Sequence, residues 1–398
     1  MKYALILGDG MADEPIESLG NRTPLEYAST PMMDELAAKG EIGIVHTIPK
    51  GMKPGSDTAN LSVLGYDPKR FYSGRSPLEA LSIGVPMKDT DISYRVNIVT
   101  LDGAEPFEAK TIIDHSSDEI CTEDSAVLLK AVLETFDDPR FQFYAGTSYR
   151  HCMIWDKGEA VELQQPHDHL GEVIGPYLPG EPFLSMMKKS YEVLKDHPLN
   201  QERIRKGLNP ANCFWFWGAG RKPLLESFEK KFGKKGVMIS AVDLLKGIGV
   251  GSGMTVVKVE GATGGLNTNY EGKAEAAVNG LLRDGYDFAY VHVEAPDEMG
   301  HQGSVEKKIR SIEYLDQRVI RIVKEALDAS GEDYRILVLP DHPTPIRVRT
   351  HTADPVPYLL YDSADPQQHE WKYNEREAAL SGNDAGEGPA MMSKLLQI

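Results

Sequence analysis

Apolar and polar positions fall in blocks along the chain, and the block lengths predict its elements. Residues 3–7 form a short unbroken apolar run that stops at Gly8-Asp9-Gly10, the pattern of a strand covered on both faces. Residues 30–39 open with Thr30 as a capping residue and an early proline and are followed by a glycine, which predicts a short helix. A second strand is expected at 42–47. The C-terminal third repeats the alternation: a helix over 271–284, a strand over 286–293, one long helix over 305–330, and strands over 334–339 and 356–361. Strands alternating with helices predict an α/β fold built on a doubly wound, mainly parallel sheet.

Between about residues 91 and 250 the pattern changes, with more proline, aromatic residues and polar turns. This stretch reads as an inserted α+β domain, leaving 1–90 and 251–398 as the core. Near its end, Gly247-Ile-Gly-Val-Gly251-Ser-Gly253 does not register as G-x-G-x-x-G and reads as a flexible return to the core. No G-x-x-x-x-G-K-[ST] motif is present, so no P-loop is expected.

Composition narrows the function. A 398-residue chain with 41% hydrophobic and 26% charged residues is ordinary for a globular protein of two or three domains. Three scattered cysteines, Cys121, Cys152 and Cys213, form no paired motif and fit a reducing compartment, the cytoplasm by default. The first apolar run is too short for a signal peptide, and no stretch is long and apolar enough to span a bilayer. A formal net charge of −17 disfavours nucleic acid and anionic membranes as partners. An acidic chain that handles a phosphorylated acid needs positive charge gathered at one place, from metal ions or arginines.

The candidate chemistry follows the predicted strands. Asp9 ends the first. Asp297 and His301 follow the strand at 286–293, in Glu294-Ala-Pro-Asp297-Glu-Met-Gly-His301. Asp341 and His342 follow the strand at 334–339, and His351 lies in the loop beyond. In an open α/β sheet ligands bind at the carboxyl ends of the strands, so all six would share one edge. Singly, an aspartate at a strand end is most often a turn or cap residue. Asp-x-x-x-His is stronger, since a helical turn places both on one face. Together, three carboxylates and three imidazoles suit two metal ions, a standard clamp for in-line phosphoryl displacement. Mixed oxygen and imidazole ligation favours manganese, zinc or iron over calcium.

Ser56, in Pro54-Gly-Ser56-Asp57, falls at the start of a predicted helix over 58–64. It is either an N-cap or a nucleophile whose phosphorylated form a helix N-terminus would favour. Candidate cations are Arg70 and Arg75, with Arg150-His151 and Arg221 in the insertion. His167 and His169 read as loop residues, and His292, inside a strand, as packed.

The motifs Asp9-Gly-Met-Ala-Asp13, Pro54-Gly-Ser56-Asp57, Gly65-Tyr-Asp-Pro68, Gly74-Arg75, Pro296-Asp297-Glu-Met-Gly-His301, Asp341-His342-Pro-Thr-Pro and Thr350-His351 occur in the order found in a known family. Over essentially its whole length the sequence resembles the archaeal-type cofactor-independent phosphoglycerate mutases of the alkaline phosphatase superfamily. The resemblance implies a phosphatase-like core with an inserted lid domain. It implies one metal held by Asp9, Ser56, Asp341 and His342, and a second by Asp297, His301 and His351, manganese being the leading ion. It implies transfer of a phosphoryl group from 3-phosphoglycerate to Ser56 and back to the other hydroxyl, giving 2-phosphoglycerate, without bisphosphoglycerate. Arg150, His151, Arg221 and Lys246 match its basic substrate contacts. The Pro-Thr-Pro continuation and the tail from Thr350 to Asp354 also resemble a bacterial subgroup proposed to act as homoserine kinases. A homoserine kinase-like phosphotransferase or a metal-dependent phosphatase is therefore the alternative.

Overall fold

The computed structural model describes residues 1–398. In chain order the strands are β1 (Lys2–Gly8), β2 (Glu41–His46), β3 (Ile92–Asp102), β4 (Thr111–Asp114), β5 (Phe141–Tyr144), β6 (Arg150–Trp155) and β7 (Cys213–Arg221). They continue with β8 (Gly236–Ile239), β9 (Thr255–Val257), β10 (Phe288–Val293), β11 (Tyr334–Leu339), β12 (Val356–Asp362) and β13 (Asp384–Glu387). They belong to two compact units, one of Met1–Tyr72 with Leu224–Ile398 and the other of Ser73–Pro223.

The first unit holds an eight-stranded sheet in the order β13-β2-β12-β11-β1-β10-β8-β9. From β11 to β9 every neighbouring pair is parallel, while β12 runs antiparallel to both β11 and β2. β10 and β11 are buried at every residue, and β1 at every residue after Lys2, as unbroken apolar runs require when both faces are covered. The α/β class and its mainly parallel sheet are as the alternation predicts.

Two helices differ from the expectation in an instructive way. The long helix expected at 305–330 is interrupted by a π segment, Asp316–Ile320, between Val305–Leu315 and Arg321–Ser330. That segment buries Asp316, whose carboxylate accepts the Met32 and Met33 amides at 3.2 and 2.7 Å. These amides open the helix Pro31–Lys39, so Asp316 satisfies its N-terminus while the Thr30 side chain makes no cap bond. The glycine run after Lys246 is not a flexible return: Asp243–Gly251 is a helix. A Cβ on Gly249 would come within 3.1 Å of Met238 and Val256, so this glycine lets the helix approach β8 and β9.

The second unit is built on antiparallel pairs around β3, which pairs with β4, β6 and β7, while β5 pairs with β6. Its core gathers Tyr94, Phe183, Phe214, Trp215 and Phe216. The unit starts and ends earlier than the 91–250 expected from composition. The helix Arg75–Ser82 packs on β3 and β7 and belongs to it, whereas β8 and the helix Asp243–Gly251 belong to the larger sheet. Residues 224–250 look insertion-like in composition, but Gly-Val-Met-Ile at 236–239 is a fully buried parallel strand.

Candidate active site

β11, β1 and β10 are adjacent and parallel, so their carboxyl ends deliver Asp341, Asp9 and Asp297 to one edge. Asp9 follows β1 directly. Asp297 and His301 lie on the short helix Ala295–His301, where i, i+4 spacing puts His301 Nε2 3.1 Å from Asp297 Oδ2. His351 Nε2 lies 3.5 Å from Asp297 Oδ1 and 3.1 Å from His301 Nε2. His342 Nε2 is 3.5 Å from Asp9 Oδ1 and 3.3 Å from Asp341 Oδ2. The donor atoms of Asp297, His301 and His351 form one close group, and those of Asp9, Asp297 and His342 another. Asp297 belongs to both.

Ser56 is the first residue of the helix Ser56–Val63, with Gly55 at the cap position. Its Oγ lies 3.2 Å from His342 Nε2, so the side chain faces the acidic group. Asn60, one turn on, donates to the Ser56 carbonyl at 2.7 Å and to Asp341 Oδ2 at 2.8 Å, which ties this helix to the end of β11. The hydroxyl of Tyr290 in turn donates to Asn60 Oδ1. Gly10 adopts φ 59° and donates its amide to Asp341 Oδ1 at 3.1 Å. A Cβ there would come within 2.5 Å of both Asp297 Oδ1 and Thr344 Oγ1, so only glycine lets the chain turn away from Asp9. A cavity of about 420 Å³ in this unit is lined by Lys50 and Met52, from the loop before Ser56, and by Ala353, just beyond His351.

The electrostatics of the group call for a cation. Asp9, Asp297 and Asp341 are all buried. Burial, then the charges of Asp341 and Asp297, push the Asp9 carboxyl well above the usual carboxylate range. Burial acts the same way on Asp297, but bonds from His301 and His351 outweigh it and hold that carboxyl low. Its bond to Asp297 raises His301 to about 9. Asp9 Oδ1 is buried with no hydrogen-bond partner, a costly state for a carboxylate oxygen unless something positive faces it. Carboxylate and imidazole donors with an orphaned oxygen fit divalent metal ions.

Of the expected basic contacts, the structure leaves some open and turns one inward. Arg150 is half-buried with its guanidinium 4.6 Å over the Tyr149 ring, and Arg221 is exposed. Lys246, in the first unit, pairs with Asp243 at 3.1 Å. His151 departs from its expected role. It is 3% exposed, its Nε2 lies 2.7 Å from Ser125 Oγ, and its Nδ1 accepts the Gly146 amide at 3.2 Å. Strand alternation explains this: Arg150 and His151 are consecutive in β6 and point to opposite faces.

The structure brings in residues that the sequence reading did not weigh. In the second unit Glu79 pairs with Arg75 at 2.8 Å and with Arg95 at 3.0 Å, and Arg150 lowers its carboxyl further. Arg95 sits 4.2 Å over Trp217, which meets His167, which meets His115. In the first unit, Lys273 and Lys308 are fully buried. Lys308 pairs with Asp13 at 2.8 Å and donates to the carbonyls of Ala12 and Thr344, joining the loops that carry Asp9 and His342. A signal existed for both lysines: each falls on the apolar stripe of its helix, beside Tyr270, Ala274, Ala277 and Leu281 or beside Ile312 and Leu315.

Comparison with known proteins adds to this geometry. A family model described as 2,3-bisphosphoglycerate-independent phosphoglycerate mutase matches residues 37–200. A protein of that name from Methanosarcina acetivorans is 46% identical over 391 residues, covering 96% of each chain. A solved structure of a Pyrococcus horikoshii protein superposes with a TM-score of 0.81 at 32% identity, covering 100% of this chain and 97% of the other. The cofactor-independent phosphoglycerate mutase from Thermoplasma acidophilum does so with a TM-score of 0.63 at 27% identity, covering 100% and 99%.

Proposed function

The chain belongs to the family of 2,3-bisphosphoglycerate-independent phosphoglycerate mutases, and from that premise we propose that it interconverts 3-phosphoglycerate and 2-phosphoglycerate through a phosphoserine at Ser56. The observation that carries the reading is the Ser56 hydroxyl 3.2 Å from His342 Nε2, at the edge of a buried group of acids and imidazoles with an orphaned carboxylate oxygen. Asp9, Ser56, Asp341 and His342 would hold one divalent ion and Asp297, His301 and His351 a second, manganese being the first candidate. Bound there, the ions lower the serine hydroxyl's pKa and offset phosphoryl charge.

Ser56 loses its hydroxyl proton and attacks phosphorus. The bond from phosphorus to the 3-oxygen breaks, and that oxygen takes up a proton. Glycerate re-orients, its 2-hydroxyl loses its proton and attacks phosphorus, the bond from phosphorus to Ser56 Oγ breaks, and Ser56 regains its proton. No water is consumed, and no bisphosphoglycerate is required. The position of Ser56 at a helix N-terminus favours the phosphorylated state. Asn60 and Gly10 orient Asp341, and Thr344 donates its hydroxyl to Asp297. Arg150 and Arg221 in the inserted unit, and Lys246, are the proposed contacts for the anionic substrate; the buried His151 is withdrawn from that set. The exposed Arg75 joins it.

The experiment is a coupled assay of 3-phosphoglycerate turnover by manganese-loaded protein without bisphosphoglycerate. Robust turnover that disappears in Ser56→Ala is expected; substantial turnover in that variant would sink the mechanism. A second reading is favoured by Pro343-Thr344-Pro345 and by the sequence from Thr350 to Asp354. Folded, metal-bound protein with no mutase turnover points to phosphoryl transfer to homoserine.

A further inference from the structure

A line of hydrogen bonds reaches Asp9 from two strands away. The Val242 amide donates to Ser240 Oγ at 3.0 Å, Ser240 Oγ lies 3.2 Å from His292 Nδ1, and His292 Nε2 lies 2.9 Å from Asp9 Oδ2. Ser240 follows β8, His292 lies in β10 and Asp9 follows β1, which are adjacent strands. All three side chains are buried.

The partners assign the protons. As a carboxylate Asp9 only accepts, so the ring hydrogen sits on Nε2, and the Ser240 hydroxyl is the donor to Nδ1. Nδ1 is then the acceptor, and the ring hydrogen on Nε2 is donated to Asp9 Oδ2. The other oxygen, Oδ1, has no hydrogen-bond partner. Lys273, fully buried, donates to the His292 carbonyl at 3.0 Å and fixes the same residue through its backbone.

We propose that Ser240 and His292 are positioning residues for Asp9: they set the imidazole tautomer, occupy Oδ2, and leave Oδ1 to face a divalent cation. This rests on the metal reading above and extends it beyond the ligands themselves. Hydrogen-bond partners behind a ligating group orient it, and their loss typically weakens metal binding about 10–100-fold.

The test uses full-length protein stripped of metal, with cobalt(II) as the probe. Affinity is read by competition with a chelator, and ligand geometry by the visible absorption of the bound ion. His292→Leu is expected to weaken cobalt binding about 10–100-fold and to alter the spectrum. His292→Gln keeps an N–H donor at similar reach and is expected to recover most of the affinity. Ser240→Ala removes one oxygen only, and its effect should run in the same direction with a smaller factor. Wild-type affinity and spectrum in Ser240→Ala and in a folded His292→Leu overturn the proposal. Glutamine no better than leucine also overturns it, because packing rather than the donated hydrogen would then be at work. If His292→Leu does not fold, wild-type behaviour in Ser240→Ala overturns the proposal alone. Wild-type protein that binds no cobalt removes the metal reading and this proposal with it. Wild-type protein that binds cobalt while the variants match it removes this proposal only.

Discussion

Each unit gathers charge at one place, but in opposite senses and with different completeness. The first unit brings Asp9, Asp297 and Asp341 together at the sheet edge and leaves Asp9 Oδ1 with no hydrogen-bond partner. The second gathers Arg75, Arg95 and Arg150 around one carboxylate, Glu79, with Arg95 also lying over Trp217. The acid group is unfinished as protein chemistry: three buried carboxylates repel, and Asp9, whose carboxyl stays raised, is the one a cation would relieve. The arginine group is already anchored, because Glu79 offsets part of its charge and holds the forks in place. Unfinished charge marks the candidate metal site, whereas anchored charge holds arginine forks in place.

The sharpest way to break that contrast is to remove the acid shared by both ligand groups. Asp297→Asn is expected to bring mutase turnover to background and to lower the manganese retained through gel filtration by the ion held with His301 and His351, with the fold intact by circular dichroism. Manganese retained at wild-type stoichiometry would mean that Asp297 does not hold the ion assigned to it. In the second unit the corresponding change is Glu79→Gln, which strands the buried Arg95. Breaking a buried pair from one side costs about 3–5 kcal/mol; here the lower end, about 3 kcal/mol, is expected because Glu79 keeps some solvent contact. Denaturant unfolding followed by tryptophan fluorescence reads it, since Trp155, Trp215 and Trp217 lie in that unit. Unchanged stability would show the arginines to be self-sufficient and the anchoring argument wrong.

The parts that could be read from sequence were those whose chemistry sits at the end of a periodic element. Asp9, Asp297 and Asp341 each follow an unbroken apolar run, so strand, edge and ligand type came together. Ser56 left two readings open, and its Oγ facing His342 with Gly55 at the cap now favours the nucleophile over the cap. What stayed hidden depended on distant partners. Asp316 caps a helix some 280 positions away, which no local pattern announces. Arg95 sits within β3, where every residue but the last is buried, and only Glu79 and Trp217 make its charge tolerable. His292 looked like a packed strand residue and is indeed buried, but its neighbours Ser240 and Asp9 come from separate strands. The 91–250 boundary rested on composition, which cannot distinguish a polar insertion from a short buried strand at 236–239.

The smallest expected effect concerns how each unit responds to acid. Burial lowers the His151 ring from its usual 6.5 to about 4, so the second unit holds it neutral. The unfolded chain therefore binds a proton that the folded one refuses. Its stabilising contribution is complete above about pH 6.5 and is lost progressively as pH falls toward 4, by up to about 3 kcal/mol. Glu375, in the first unit, has the opposite sign: burial pushes its carboxyl up from 4.5 to about 7, so ionisation is resisted and stability falls as pH rises between those values. Between pH 7 and 5 the tryptophan-reported transition should move to lower denaturant, and His151→Asn should flatten that slope. In Glu375→Gln the slope of the tryptophan-reported transition should persist. A slope abolished by Glu375→Gln and untouched by His151→Asn would place the acid sensitivity in the first unit and undo the comparison.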